Sequence, residues 1–136
     1  MGNLHLELVT PEKVMISQEA DSVVAPGSMG EFGVLPGHVP FLSSLVPGEL
    51  RYTHQGKTEA FVIMSGFAEI SNDKVSILVD AAERGHEIDV ERARSALKRA
   101  RERLARERGA EDVDFLRAEA ALKRAIARIK VAEKLI

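Results

Sequence analysis

Residues 67–104, FAEISNDKVSILVDAAERGHEIDVERARSALKRARERL, contain the change of pattern that decides the fold. Two short apolar runs flank Asn72-Asp73, and good turn formers between such runs predict a β-hairpin. After Gly85 the apolar residues recur at alternating three- and four-residue steps, which is typical of one face of a helix. The stretch therefore predicts a β domain followed by an α-helical domain.

The residues before this stretch consist of further short runs, separated by turn-forming pairs such as Pro26-Gly27 and Pro47-Gly48. Leu4, Leu6 and Leu8 alternate with polar residues, which is the period of a half-buried strand. Many short strands at this spacing predict a sandwich or a barrel. The predicted strands are Leu4–Leu8, Val14–Ser17, Ser22–Ala25, Glu49–Thr53, Ala60–Met64, Phe67–Ile70 and Val75–Val79.

The pattern after residue 87 predicts two helices of similar length. Asp89 is a suitable N-cap for the first helix, and Gly109 is well placed to end it. The second helix is expected to start near Asp112 or Asp114, and the short connection favours an antiparallel pair. The apolar stripes are Val90, Ala93, Leu97, Ala100 and Leu104 on the first helix, and Phe115, Ala118, Leu122, Ala125, Ile129, Ala132 and Ile136 on the second.

The two predicted parts carry opposite charge. With the boundary after Glu87, the chain has domains at residues 1–87 and 88–136, with formal net charges of −7 and +5 within a total of −2. This asymmetry would allow the hairpin to dock on its own acidic domain or on an acidic surface elsewhere, with a salt-sensitive balance. Solvated helix faces are the alternative interpretation.

The helical hairpin is rich in alanine, which permits close approach of two helices but buries little apolar surface. Isolated helices of ~20 residues are only partly stable in water. The hairpin therefore needs a partner surface, and two available surfaces would make it a switch. A permanently docked two-helix cap is the alternative.

Composition excludes several classes of protein. Apolar residues make up 45% of the chain and charged residues 29%, which indicates a folded protein, and the absence of cysteine excludes disulfides and thiolate metal sites. No stretch approaches the ~18 apolar residues of a membrane span. The first ten residues lack the features of a leader peptide, so a cytosolic protein is expected.

Residues 27–41, GSMGEFGVLPGHVPF, contain four glycines, and glycine-rich loops can bind phosphates. A Walker loop requires Lys-Ser/Thr and then a helix, whereas Pro36 and Pro40 forbid a helix of that kind here. We interpret the segment as a tight corner in which the glycines supply positive φ. The side chains that it would display for binding are Glu31, Phe32 and His38.

The sequence predicts neither a catalytic site nor a metal site. The four histidines, at positions 5, 38, 54 and 86, lack metal-ligand spacing, and there is no serine elbow or cysteine nucleophile.

The first helix is strongly basic, so it must be considered as an anion-binding element. The hairpin contains a single aromatic residue, on the expected core stripe, so it lacks the stacking platforms of a nucleic-acid site. Arg124 and Arg128 are four residues apart and could instead close around an anion together with Arg92 or Arg99.

Four segments of the chain, spread over most of its length, resemble one known family. They are LHLELVTPEKVM (4–15), GEFGVLPGHVPFLSSLVPGEL (30–50), SGFAEISNDKVSILVDAAE (65–83) and IDVERARSALKRARERL (88–104). Together they look like the epsilon subunit of F-type ATP synthases. The resemblance implies an N-terminal ten-stranded β-sandwich followed by a C-terminal antiparallel two-helix hairpin.

The resemblance also implies partners and a function. The sandwich is expected to bind the gamma subunit and the c-subunit ring of a proton-translocating ATP synthase, as a non-catalytic rotor component of the central stalk that couples proton flow to ATP synthesis. The hairpin is expected to reach the alpha/beta catalytic head and to inhibit ATP hydrolysis. Such a protein is peripheral, at the cytoplasmic face of the bacterial inner membrane, and associates with the membrane only through the complex. It requires no cofactor and binds no nucleic acid.

Particular residues acquire roles through the resemblance. Residues 88–93, IDVERA, match an I/L-D-x-x-R-A motif with which some members bind a regulatory ATP. The implied ATP-binding residues are Ile88, Asp89, Arg92 and Ala93 of the motif, with Arg99, Arg124 and Arg128 beside Arg92 at the phosphates and Glu83 beside Asp89 near the base or ribose. Glu31 and His38 are implied to face the c ring. Ser65-Gly66 stands where the family often has two glycines.

One function from another class remains open at this point. The chain could be a free-standing ATP-binding sensor whose helices close on the nucleotide. A small enzyme has no support in the sequence.

Overall fold

The computed structural model describes residues 4–106 and 112–134. The chain divides into two compact units, Met1–Arg84 and Gly85–Ile136. The division lies three residues before the boundary expected after Glu87, because Gly85–Glu87 forms a 3₁₀ turn that contacts the second helix of the hairpin instead of continuing a strand. No helix within the described ranges is long and apolar enough to cross a membrane.

Residues 4–84 form the ten-stranded sandwich that the resemblance implied. The strands are β1 Leu4–Val9, β2 Val14–Ala20, β3 Ser22–Gly27, β4 Gly30–Val34, β5 Phe41–Leu45, β6 Gly48–His54, β7 Lys57–Ile63, β8 Gly66–Ser71, β9 Lys74–Val79 and β10 Ala82–Arg84. Neighbours follow the order β10-β7-β6-β3-β5-β8-β9-β1-β2, and β4 adds to β3. β1 and β9 pair in parallel, so the first strand lies beside the second strand of the β8–β9 hairpin.

The glycine-rich segment is more regular than the sequence predicted. β4 pairs with β3 along its whole length, so Gly27 and Gly33 belong to strands. Positive φ is confined to Gly30, at 126°, and Gly37, at 87°, among the glycines of this segment. The corner interpretation is therefore confirmed at Gly30, which follows the Ser28-Met29 turn, and at Gly37, but it is wrong for Gly27 and Gly33, which lie in paired strands without positive φ. β5 and the three-residue β10 also escaped prediction.

The core of the first unit is made by the inward faces of its strands. Leu4, Leu6 and Leu8 are each at most 1% exposed, which confirms the predicted alternation. Burying a side chain of this size stabilises a fold by about 1.5–3 kcal/mol. The other members of the core are Ala20, Val23, Ala25, Val34, Leu45, Leu50, Tyr52, Phe61, Ile63, Ala68, Ile70, Val75, Ile77 and Val79.

The predicted hairpin at Asn72-Asp73 is confirmed. β8 and β9 are antiparallel, with Ser71 opposite Lys74, so these two residues form the entire turn. Their φ angles are 51° and 60°. Positive φ at both central residues is the type I′ geometry, whose twist matches that of the strands and which Asn and Asp tolerate.

The second unit contains the two predicted helices, α1 Val90–Arg106 and α2 Asp112–Lys134. The Oδ1 atom of Asp89 accepts a hydrogen bond of 3.1 Å from the backbone N–H of Arg92, which confirms the predicted N-cap. α2 begins at Asp112, one of the two expected starts. Gly109, the predicted end of the first helix, lies outside the described residues.

Alanines fill the seam between α1 and α2. An ion pair of 3.5 Å joins Arg94 near the start of α1 to Glu133 near the end of α2, so the helices are antiparallel as predicted. Ala127 and Val131 are also buried, on the opposite face of α2, which the single stripe did not predict. The stripe's Ile136 lies outside the described residues. The buried seam residues are Ala93 and Ala100 on α1 and Ala118, Ala125 and Ala132 on α2.

Candidate functional site

Glu31 stands on β4 and is held by an arginine from β6. Arg51 donates from Nη1 to Oε2 and from Nη2 to Oε1 of Glu31, both at 3.2 Å, which is a bidentate pair. Its Nη1 also donates to Glu49 Oε1 at 3.0 Å. The hydrogen bond to Glu31, together with that to Glu49, raises the pKa of Arg51, so the guanidinium stays charged. The carboxylate of Glu31 is therefore exposed but fixed in direction.

His38 belongs to the turn that follows β4. Its Nδ1 lies 2.6 Å from the carbonyl oxygen of Val39, and its ring meets Phe41 edge-on at a centroid distance of 5.9 Å. Phe41 in turn meets Phe32 at 5.2 Å. Phe32 was predicted to be presented for binding. It is instead half-buried against the core, because its side chain packs inward from β4. The imidazole is thus braced by an aromatic contact that reaches the core.

An apolar strip lies on the outer face of the sandwich and was not predicted from the sequence. We define it as Leu42, Phe67 and Leu78, which are 68%, 58% and 53% exposed. Phe67 and Leu78 lie directly opposite each other on β8 and β9, and Leu42 is on neighbouring β5. Exposed apolar side chains grouped in this way mark interaction surfaces.

The strip borders an open groove of about 580 Å³. Val9, Pro11 and Val79 contribute to its wall, together with Phe67 and Leu78 of the strip. The sequence did contain a signal for the strip, since the buried alternation at Ala68 and Ile70 requires Phe67 to point outward. That signal becomes specific only when the neighbouring strands are known.

Four arginines lie along one edge of the hairpin, which we call the arginine edge: Arg92, Arg99, Arg124 and Arg128. With 3.6 residues per turn, each lies roughly a quarter of a turn from the buried alanines of its helix, in the same rotational sense. In an antiparallel pair, equal rotations bring side chains to the same edge of the seam. The Arg94–Glu133 ion pair occupies the opposite edge. The fold thus aligns the four arginines that the sequence singled out.

The remaining implied ATP-binding residues have other places in the fold. Ala93 is buried in the helix seam, and the carboxylate of Asp89 caps α1. Ile88 is half-buried in the segment between the 3₁₀ turn and α1. Glu83 lies on β10 in the first unit, opposite Val62 of β7. Asp89 thus has a structural role as the N-cap of α1, independent of any ligand that it binds.

The described part of the chain contains no candidate metal site. Among residues 4–106 and 112–134, no three His, Asp or Glu side chains gather where they could hold a metal ion.

Two family models together match most of the chain. Residues 3–85 match the β-sandwich domain of the ATP synthase delta/epsilon chain. Residues 86–133 match the long α-helix domain of the same chain.

Bacterial relatives align over nearly the full length. The ATP synthase epsilon chain of Nitratidesulfovibrio vulgaris (strain DP4) is 53% identical over 129 residues, covering 95% of each chain. The ATP synthase epsilon chain of Syntrophobacter fumaroxidans is 54% identical over 131 residues, covering 96% of each chain.

Two solved structures have similar folds. A chain of the Euglena gracilis mitochondrial ATP synthase, from a cryo-EM structure of OSCP/F1/c-ring, aligns with a TM-score of 0.85 at 26% identity, over 98% of this chain and 82% of that one. A chain of the Tetrahymena thermophila mitochondrial ATP synthase central stalk/c-ring structure aligns with a TM-score of 0.57 at 16% identity, over 98% and 96%. The latter likeness concerns the fold alone.

Proposed function

Because the chain belongs to the ATP synthase delta/epsilon chain family, we propose that it is the rotor component that joins a gamma subunit to the c-subunit ring. It is a non-catalytic subunit of an ATP synthase. In this role it turns with the central stalk and couples proton flow to ATP synthesis, at the cytoplasmic face of the inner membrane. The observation that carries the proposal is the apolar strip on the sandwich.

The strip is the proposed gamma-binding surface. Its side chains are exposed in the isolated chain, and burying them against a partner gains about 25 cal/mol per Å² of apolar area. Interface centres are typically depleted of charge and rich in aromatic residues, which fits Phe67. The groove beside the strip offers a concave seat for a protruding partner side chain.

Phe67→Glu should abolish co-purification of the chain with a gamma subunit. The substitution places a charge at the centre of an apolar interface, where it loses its water. Pull-down of gamma by the tagged chain measures the effect. Leu116→Glu is the matched control, since Leu116 is 61% exposed against 58% for Phe67 and lies in the other unit. Retention of gamma by the Phe67→Glu variant at the wild-type level would refute this assignment of the surface.

Glu31 on β4 and His38 in the following turn are the proposed contact with the c ring. Glu31 has a fixed direction through Arg51, and His38 is braced by Phe41, so both are pre-organised for a partner. Leu35 and Val39 of the same corner are 63% and 68% exposed, which adds apolar area beside the polar groups.

The hairpin is the proposed regulatory element. Its net charge of +5 favours acidic surfaces, and its alanine seam gains little from packing on itself. In the catalytic head it would inhibit ATP hydrolysis by reaching the alpha and beta subunits.

The arginine edge is the proposed site of a regulatory ATP. Guanidinium groups bind phosphate oxygens through paired N–H donors, and four of them along one edge suit a triphosphate. The nucleotide would bridge α1 and α2 and so hold the two helices together. ATP here is a regulator, and no cofactor is required.

Arg92→Ala should eliminate the heat of ATP binding to the isolated chain in titration calorimetry. Losing one bidentate phosphate contact leaves too little binding energy for a detectable signal. Arg94→Ala is the matched control, because Arg94 is two residues away but on the opposite edge, paired with Glu133. Equal loss in both variants would point to nonspecific attraction, and unchanged binding in Arg92→Ala would exclude this edge. A free-standing sensor would also bind ATP, but it would not bind gamma.

A further inference from the structure

The corner that carries His38 is built around a reverse turn, Leu35–His38. The N–H of His38 donates to the carbonyl oxygen of Leu35 at 3.1 Å, which closes the turn. Pro36 at the second position and Gly37 at the third, with φ of 87°, are the residues that a type II turn requires. The closing hydrogen bond does not use the N–H of Gly37, so this donor needs a partner elsewhere.

Asp73 supplies that partner from a distant part of the chain. Its Oδ1 accepts a hydrogen bond of 2.7 Å from the N–H of Gly37, 36 residues away in sequence. Asp73 itself sits in the β8–β9 turn, with φ of 60°. Its carbonyl oxygen accepts from the N–H of His5 in β1 at 2.9 Å. One residue thus ties the corner to two other segments of the sandwich.

Apolar burial on either side of the turn contributes little to its position, although the ring of His38 also meets Phe41 edge-on. Leu35 and Val39, on either side of the turn, are both more than 60% exposed, and Gly37 has no side chain. A charge-assisted hydrogen bond is about twice as strong as a neutral one, so it counts for much in a segment with so little buried surface. The contact between Asp73 and Gly37 therefore holds the backbone of the turn, and the contact with Phe41 orients the His38 ring on that backbone.

We propose that Asp73 is a positioning residue that holds the Leu35–His38 turn in the orientation needed to meet the c ring. The local part of this inference stands on the hydrogen bond alone, and the part that concerns the c ring rests on the function proposed above. Asp73 acts through the turn and not by contact with the c ring.

Two substitutions at position 73 in the full-length chain test the inference. Asp73→Gly removes the acceptor and keeps the positive φ of the turn, whereas Asp73→Asn keeps both a carbonyl acceptor and tolerance of positive φ. Asn72→Gly is the matched control, since it changes the same turn without touching Gly37. The readouts are the exchange rate of the Gly37 amide by NMR, the melting temperature, and the affinity for detergent-solubilised c ring.

Asp73→Gly should accelerate exchange at Gly37 about tenfold and weaken c-ring binding by a similar factor, with little change in melting temperature. Asp73→Asn should restore most of both properties, and Asn72→Gly should leave both near wild type. Unchanged exchange in Asp73→Gly overturns the inference, and accelerated exchange with unchanged c-ring affinity overturns the positioning role. If the wild-type chain itself fails to bind the c ring, the proposed function is wrong. The exchange rate of the Gly37 amide still tests whether Asp73 holds the turn.

Discussion

Gly66→Ala is expected to destabilise the β-sandwich by about 3 kcal/mol or more, a large part of the free energy of unfolding of a small domain. Gly66 begins β8 and lies between Leu45 of β5 and Val79 of β9. A Cβ atom at this position would overlap the carbonyl oxygen of Leu78 and would lie 2.7 Å from the Cα of Val79. These are backbone atoms of a paired strand, so β9 must shift and its pairing must weaken.

Gly33→Ala provides the matched control for this substitution. Gly33 is also a strand glycine, in β4, but a Cβ atom added there would meet no heavy atom within 4 Å. We expect the free energy of unfolding to change by less than about 0.5 kcal/mol, as for ordinary surface substitutions. Urea unfolding of both variants measures the difference. Equal stabilities would show that the close approach of β9 imposes no constraint.

The close contact at Gly66 applies to that position and does not exclude a side chain at its neighbour, Ser65. Ser65, the neighbouring residue, is exposed, and the N–H of Asp80 donates to its carbonyl oxygen at 3.0 Å. That hydrogen bond uses only backbone atoms, so a serine side chain can be accommodated there.

Local interactions account for the features of the fold that the sequence predicted. The alternation of Leu4, Leu6 and Leu8, the turn at Asn72-Asp73 and the cap by Asp89 each depend on residues within a few positions of one another. Such features can be predicted from a single sequence because the residues that cause them are neighbours in the chain.

Distant pairing accounts for most of what the sequence did not predict. β4 is rich in glycine and becomes a strand only because β3 supplies its hydrogen bonds. The pairing of Arg51 with Glu31 spans 20 residues, and that of Asp73 with Gly37 spans 36. The apolar strip likewise needs β5, β8 and β9 side by side before its members form one surface. These features follow from strand order, which a single sequence specifies poorly.

Ending the chain after Glu87 is expected to raise ATP hydrolysis by the isolated catalytic complex about tenfold, within the range for couplings of ~1–3 kcal/mol. The deletion removes both helices, and with them the charge of +5 that is proposed to reach the catalytic head. The core of the sandwich consists entirely of residues from 4 to 82, so the remaining chain should fold and still present the apolar strip to gamma. Steady-state ATPase assays of the reconstituted complex measure the effect.

The truncated chain distinguishes the proposed inhibition of ATP hydrolysis by the hairpin from the rotor role of the sandwich. The first predicts a change in hydrolysis, and the second predicts that gamma stays bound. Gamma binding and a cooperative unfolding transition should persist, since neither requires the hairpin. Added salt should raise hydrolysis in the full-length complex and have less effect in the truncated one, because exposed charge pairs are screened within ~10 Å at 0.1 M salt. Hydrolysis that stays at the full-length level after truncation, with gamma still bound, would mean that the hairpin does not act as a brake in this protein.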